Sequence, residues 1–157
     1  PGRLEVMQQE PLVILDGAHN PQKARPHLEK AARLNPTDGR PFAHLGRCYH
    51  EMQLQDLAIG AFKKAIRQNP FDAEALSFLG LLYGEKGENA EIATLFCQKS
   101  IDIEPENGCY HSRLGKLHLK YDRLQQALSA FEEASARGWD ATADIEKIGN
   151  RLTVKAS

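Results

Sequence analysis

A pattern of small and large residues that recurs about every 34 positions constrains this chain more than any other feature. The pattern begins at Phe42, Leu76 and His111, so 34 residues separate the first two copies and 35 separate the next two. We place the extra residue in the turn after Gly87. A fixed period of this length indicates an array of one repeated supersecondary unit.

Each copy contains two groups of residues with helical spacing and therefore predicts two paired helices. The first groups are Phe42, Leu45, Gly46, Tyr49; Leu76, Leu79, Gly80, Tyr83; and His111, Leu114, Gly115, His118. The second groups are Ala58, Phe62, Ala65, Pro70; Ala93, Cys97, Ser100, Pro105; and Ala127, Phe131, Ala134, Trp139. The glycines and alanines predict close helix crossings, and the large residues fill the space between helices. Such a pair buries its apolar face only by stacking on neighbouring pairs.

Partial copies flank the three complete ones. Residues Ala24 to Pro36 match a second helix without its first, and residues Ile145 to Leu152 match a first helix without its second. We predict a short segment at 1–22 and a solenoid at 23–153. The solenoid divides into a half-unit at 23–38, full units at 39–72, 73–107 and 108–141, and a capping helix at 142–153.

This pattern resembles the tetratricopeptide repeat (TPR) family over most of the chain. The resemblance implies an all-α fold, a right-handed superhelix of antiparallel helix pairs, here preceded by a short irregular or single-strand segment. It also implies a protein–protein interaction scaffold that binds a partner protein or peptide in its concave groove. On this interpretation the chain is a binding protein and not an enzyme.

The first helices are expected to line that groove. The candidate partner-binding residues are Arg40, Arg47, His50, Phe78, Leu81, Arg113, Lys116 and Lys120. Cationic ends around an apolar centre predict an acidic peptide with an aliphatic or aromatic anchor, because the guanidinium fork suits carboxylates. The alternative is that these charges are only solvated surface groups. The family's clamp for a terminal carboxylate is not predicted, because Ala43, Arg47 and Phe78 replace its lysine and two asparagines.

Residues 1–21 do not follow the repeat. They contain Pro-Gly-Arg-Leu-Glu at 1–5, a strand-like run at 12–15 and Asp-Gly-Ala-His-Asn-Pro at 16–21. This segment resembles the start of the carboxy-terminal domain of folylpolyglutamate and dihydrofolate synthases, relatives of the Mur ligases. The resemblance implies nucleotide contacts by Arg3, Asp16 and His19. Because the sequence lacks a glycine-rich phosphate loop with its lysine, the alternative function is a fragment or fusion remnant of such an ATP-dependent ligase.

Composition narrows the remaining possibilities. A net charge of −1 argues against nucleic acid and anionic membranes as partners. The odd number of cysteines, three, and their wide spacing argue against a disulfide framework or a zinc site. We therefore expect no cofactor and no metal, and a cytoplasmic location. Since the sequence begins at Pro1, we expect it to be a piece of something longer. A third interpretation is self-association through the exposed half-unit at Ala24 to Leu34.

Overall fold

The computed structural model describes residues 20–157, and these residues form eight α-helices and no strand. The helices are α1 (Pro21–Leu34), α2 (Gly39–Glu51), α3 (Gln55–Gln68), α4 (Ala73–Lys86), α5 (Ala90–Ile103), α6 (Gly108–Lys120), α7 (Leu124–Ala136) and α8 (Thr142–Ala156). The predicted all-α class is confirmed for this part of the chain. The strand-like run at 12–15 lies outside the described residues.

Short turns and side-chain caps explain where these helices begin and end. Turns of three residues, at 52–54, 87–89 and 121–123, join the two helices of each full unit and make them antiparallel neighbours. Asp or Asn caps the amino terminus of several helices; Asp72, for example, accepts a hydrogen bond from the Ala75 amide at 3.0 Å. Gly87 ends α4 in the left-handed conformation, with φ of 71°.

The chain divides into two compact units, the first ending at Pro70 and the second beginning at Phe71. In the first unit, α2 packs against both α1 and α3. Its apolar core is formed by Ala24, Leu28, Ala32, Leu45, Cys48 and Ala61, with Phe42 and Tyr49 at the edge. Helix α1 therefore shares one apolar core with the pair formed by α2 and α3.

The second unit contains two helix pairs and a final helix. Helices α4 and α5 form one pair, α6 and α7 form the other, and α6 also contacts both helices of the first pair. Helix α8 packs against α7 through Ile148, which is fully buried. Asp122, in the turn before α7, pairs with Arg151 at 2.8 Å and Lys155 at 2.7 Å, and so fastens α8 to the preceding pair.

The repeated glycines mark close crossings within each pair, as the sequence predicted. A Cβ added at Gly46 would lie 2.6 Å from the Phe62 ring, and one at Gly115 would lie 2.9 Å from the Phe131 ring. At Gly80 the added atom would lie 2.8 Å from the carbonyl oxygen of Ala93. The small residue of each first helix therefore receives the second helix of its own unit.

Candidate functional site

Five of the predicted partner-binding residues lie in the second unit, on the first helix of each of its two helix pairs. Phe78 and Leu81 are on α4, and Arg113, Lys116 and Lys120 are on α6. These helices pack against each other, and we call the surface that these five residues form the α4–α6 face.

Arg113 is the residue whose position on this face is most closely defined. Its guanidinium carbon lies 3.8 Å from the centre of the Phe78 ring and 5.8 Å from that of Tyr110. Its Nη1 atom donates a hydrogen bond to the hydroxyl of Ser77 at 3.2 Å. Stacking on a ring and bonding to a buried hydroxyl restrict the side chain, which remains half-buried. Since a guanidinium has five N–H donors, it keeps donors for a ligand after the bond to Ser77.

A row of positive charge continues from Arg113 along α6. Lys116 follows three residues later and Lys120 four residues after that, so all three lie on one side of the helix. Both lysines are exposed, and the Lys120 ammonium donates to the carbonyl oxygen of Glu85 at 2.8 Å. Leu81 is half-buried on α4 and supplies apolar area to the α4–α6 face.

Burial controls the ionisation of the groups beneath Arg113. Burial raises the pKa of the Cys97 thiol to about 12, although the Arg113 charge acts in the opposite direction. Burial is also the main cause of the raised pKa of the Tyr110 hydroxyl, and the nearby Glu104 and Glu74 carboxylates raise it further. Both groups are therefore neutral at pH 7, and Arg113 provides the charge at this position.

The three remaining predicted residues lie on α2 in the first unit. Arg40 is exposed and forms a two-point ion pair with Asp38, with its Nη2 2.7 Å from Oδ2 and its Nε 3.0 Å from Oδ1. This pairing lowers the pKa of the Asp38 carboxyl. Arg47 and His50 are half-buried. Arg40 would have to exchange the Asp38 carboxylate for one on a partner, whereas Arg113 donates its hydrogen bond to the Ser77 hydroxyl.

Two features of the face were not evident in the sequence. The sequence left open whether Phe78 lies in the groove or packs within the solenoid; it is only 8% exposed and lies under the Arg113 guanidinium. The bond from Arg113 to Ser77 joins residues 36 positions apart. A repeat pattern identifies which side of a helix a residue occupies. It does not specify which side chains of α4 and α6 touch each other.

The remaining predictions concern nucleotide contacts at the amino terminus, metal binding and membrane crossing. Arg3, Asp16 and His19 lie outside the described residues. Within residues 20–157, no group of His, Cys, Asp and Glu side chains is arranged to hold a metal ion. In the same range, no helix has the length and apolar character required to cross a membrane.

Known sequences with related segments belong to much longer proteins. The chain is 34% identical over 91 residues to the general transcriptional corepressor trfA of Dictyostelium discoideum, covering 58% of this chain and 6% of that protein. It is 28% identical over 106 residues to the corepressor ssn6 of Schizosaccharomyces pombe, covering 68% of this chain and 10% of that protein. The chain thus spans only a small fraction of the curated relatives that it matches.

Solved structures give similarity over more of the chain. A crystal structure of MamA matches with a TM-score of 0.71 and 25% identity, covering 85% of this chain and 77% of that one. The first TPR of Spaghetti (RPAP3), solved with the HSP90 peptide SRMEEVD, matches with a TM-score of 0.68 and 18% identity. That match covers 74% of this chain and 96% of the other.

The family comparison agrees with the helix pairing. The sequence model of the tetratricopeptide repeat family matches residues 17–82, which include α1, α2, α3 and most of α4. The structural likeness reaches further, over 85% of the chain for MamA and 74% for the RPAP3 repeat. Residues 20–157 therefore have the tetratricopeptide repeat fold, and the sequence model of the family matches the amino-terminal part of them.

Proposed function

We propose that this chain is a protein-interaction scaffold that binds an acidic peptide segment on the α4–α6 face. The observation that carries the proposal is the position of Arg113, stacked 3.8 Å above Phe78 and bonded to Ser77. Holding a guanidinium in place before binding reduces the side-chain entropy that association would otherwise cost. An ordered, half-buried Arg on the α4–α6 face is suited to a partner carboxylate.

The remaining residues of the face suggest the chemistry of the segment. Lys116 and Lys120 extend the positive charge by about two helical turns, so a second acidic group should follow the one at Arg113. Leu81 offers a modest apolar contact for an aliphatic side chain between them. Phe78 contributes mainly by supporting Arg113, because so little of its surface is exposed. The expected ligand is therefore acidic with one aliphatic anchor.

A peptide array would test the proposal directly. Short Asp- and Glu-rich peptides with a single Leu at varied positions would be titrated against the full chain, and binding would be followed by fluorescence anisotropy. We expect Arg113→Gln to weaken the best peptide about tenfold or more, because a charge-assisted contact is lost. Arg113→Lys should recover only part of the affinity, since an ammonium lacks the planar fork.

The matched control is Lys147→Gln, which removes an exposed charge from α8, away from the α4–α6 face. This variant should bind the same peptide as the parent chain does. Equal affinities for the parent, Arg113→Gln and Lys147→Gln would show that Arg113 makes no partner contact. Binding that depends on the peptide's free carboxy terminus would instead indicate the clamp mode, which Ala43 and Arg47 do not favour.

The alternative of an ATP-dependent ligase fragment stays a prediction from residues 1–21. Its proposed contacts, Arg3, Asp16 and His19, lie outside the described part of the chain. Saturable ATP binding that is lost in Arg3→Ala would favour this alternative over the scaffold.

A further inference from the structure

A groove with an apolar floor lies between α1 and α3 in the first unit, and we call it the α1–α3 groove. Its volume is about 510 Å³. The floor is formed by Phe42, Leu45 and Tyr49 of α2. Leu57 stands at the rim on α3 with 52% of its surface exposed, and a Cβ added at Gly60 would meet nothing within 4 Å. The groove therefore has room for a side chain at Gly60, beside the exposed Leu57.

The sign of the charged residues changes along this groove. Helices α1 and α3 run the same way, because each is antiparallel to α2. Along this direction the acidic residue comes first on each helix: Glu29 precedes Arg33 on α1, and Asp56 precedes Lys64 on α3. Glu29 accepts a hydrogen bond from the Tyr49 hydroxyl at 3.1 Å, and the Lys64 ammonium lies 5.6 Å from the centre of the Phe42 ring. An acidic end is therefore followed by a basic end.

Helix α5 in the second unit carries a ridge that matches this groove. Ile92 and Leu95 are 49% and 52% exposed and lie one turn apart on the same side of the helix. Glu91 precedes them and Lys99 follows, both exposed. Glu91 and Lys99 are eight residues apart, as are Asp56 and Lys64, which gives about 12 Å in each helix at 1.5 Å per residue.

From this correspondence we propose that the α1–α3 groove binds the α5 ridge of a second copy of this chain. In an antiparallel placement, Lys99 meets the acidic end at Asp56, and Glu91 meets the basic end at Lys64. Ile92 and Leu95 then cover the exposed surface of Leu57 and enter the space beside Gly60. Both the apolar contacts and the charges are satisfied in one orientation, whereas the reverse orientation places like charges together.

The charges of the two units favour the same encounter. Residues 20–70 contain nine basic and four acidic residues, a net charge of +5. Residues 71–157 contain ten basic and fourteen acidic residues, a net charge of −4. The groove belongs to the positive unit and the ridge to the negative one, so attraction draws different surfaces of two copies together. The interface is heterologous, because each copy uses one surface as acceptor and the other as donor.

Two single substitutions would block the two surfaces separately. Gly60→Arg fills the groove at a position where a side chain has room, and Leu95→Arg places a charge on the ridge. In sedimentation velocity on the full chain, up to roughly 1 mM, the weak end of specific association, the parent should self-associate. Each variant alone should lose at least tenfold in association constant. Circular dichroism would confirm that both remain helical.

Mixing the two variants gives the decisive measurement. Each retains the surface that the other lacks, so an equimolar mixture should form a complex of one copy of each and nothing larger. The control Ala143→Arg, at an exposed position of α8, should associate as the parent does. A monomeric parent, a mixture that stays monomeric, or variants that associate like the parent would each overturn the proposal. Peptide binding at Arg113 is measured independently and does not depend on this result.

Discussion

Gly80 shows at the residue scale why the repeat requires a small side chain at this position. An added Cβ would lie 2.4 Å from the Cys97 sulfur and 2.8 Å from the Ala93 carbonyl oxygen. The sulfur belongs to a side chain that is fully buried, and the oxygen belongs to the helix backbone. Neither can move away cheaply, so α4 and α5 would have to separate.

The substitution Gly80→Ala should therefore lower the free energy of unfolding by roughly 1–3 kcal/mol, the usual cost of overpacking. Gly149→Ala is the matched comparison in the same unit, because a Cβ there meets nothing within 4 Å. That change should be neutral or stabilising by up to about 1 kcal/mol, since alanine is the better helix former. Urea unfolding followed by circular dichroism measures both, and equal effects would contradict the assigned contacts.

The packing positions of several residues could be predicted from the sequence, whereas the contacts within the candidate site could not. The 34-residue period fixes which side of each helix faces its partner, so Gly46, Gly115 and Phe131 were placed correctly from the sequence. His111 and His118 were also expected at packing positions, and both are 8% exposed. Arg113 differs, because its contact with Phe78 depends on the distance between α4 and α6, which no spacing within one helix specifies.

At the scale of the element, α8 is held by apolar contacts, in which Ile145 and Leu152 pack beside Ile148, and by two ion pairs to Asp122. Ile148 is buried against α7, while Asp122 accepts hydrogen bonds from both Arg151 and Lys155. The hydrogen bond from Lys155, and then the charges of Lys155 and Arg151, lower the pKa of the Asp122 carboxyl. Its contribution is therefore present above the ordinary carboxyl pKa and is lost as pH falls through the lowered value.

We expect Asp122→Asn to loosen α8 at pH 7, because the carboxylate that both cations contact is removed. Asparagine tolerates the positive φ of 55° at this position, so the turn itself should persist. The NMR chemical shifts of residues 150–156 should indicate reduced helicity in the variant. The parent should lose the same helicity only under acidic conditions, where the carboxylate is protonated. A variant indistinguishable from the parent at pH 7 would mean that the apolar contacts of Ile145, Ile148 and Leu152 are sufficient to hold the helix.

The helical elements themselves could be anticipated because their signals are local. The Asp or Asn caps and the small residues at crossings specify a helix pair without reference to distant residues. The strand-like run at 12–15 offers no comparable test, since it lies outside the described residues. The α1–α3 groove was missed because its shape depends on Gly60, whose open surroundings are not apparent from sequence spacing.

For the whole molecule, the near-zero net charge conceals two units of opposite sign. The sequence total of −1 argued only against nucleic acid and anionic membranes as partners. Residues 20–70 carry a net charge of +5 and residues 71–157 one of −4. The positive unit of one copy therefore attracts the negative unit of another.

Self-association through the groove and the ridge should consequently weaken as salt is added. Between about 0.05 and 0.5 M NaCl the screening length falls from above 10 Å to well below it, so the attraction between Lys99 and Asp56 is reduced. We expect the association constant to fall severalfold in sedimentation experiments, while the helical content stays the same. Association that strengthens with salt would indicate a contact dominated by apolar surface.

The Cys97 thiol has a consequence beyond the packing that it completes. Its sulfur lies against Gly80 with no exposed surface, and its pKa of about 12 keeps it protonated at neutral pH. Oxidants and electrophiles attack the thiolate, so they reach this atom only when α4 and α5 separate. Modification of Cys97 would therefore accumulate only in molecules in which α4 and α5 have separated. The modified fraction would report how often this separation occurs.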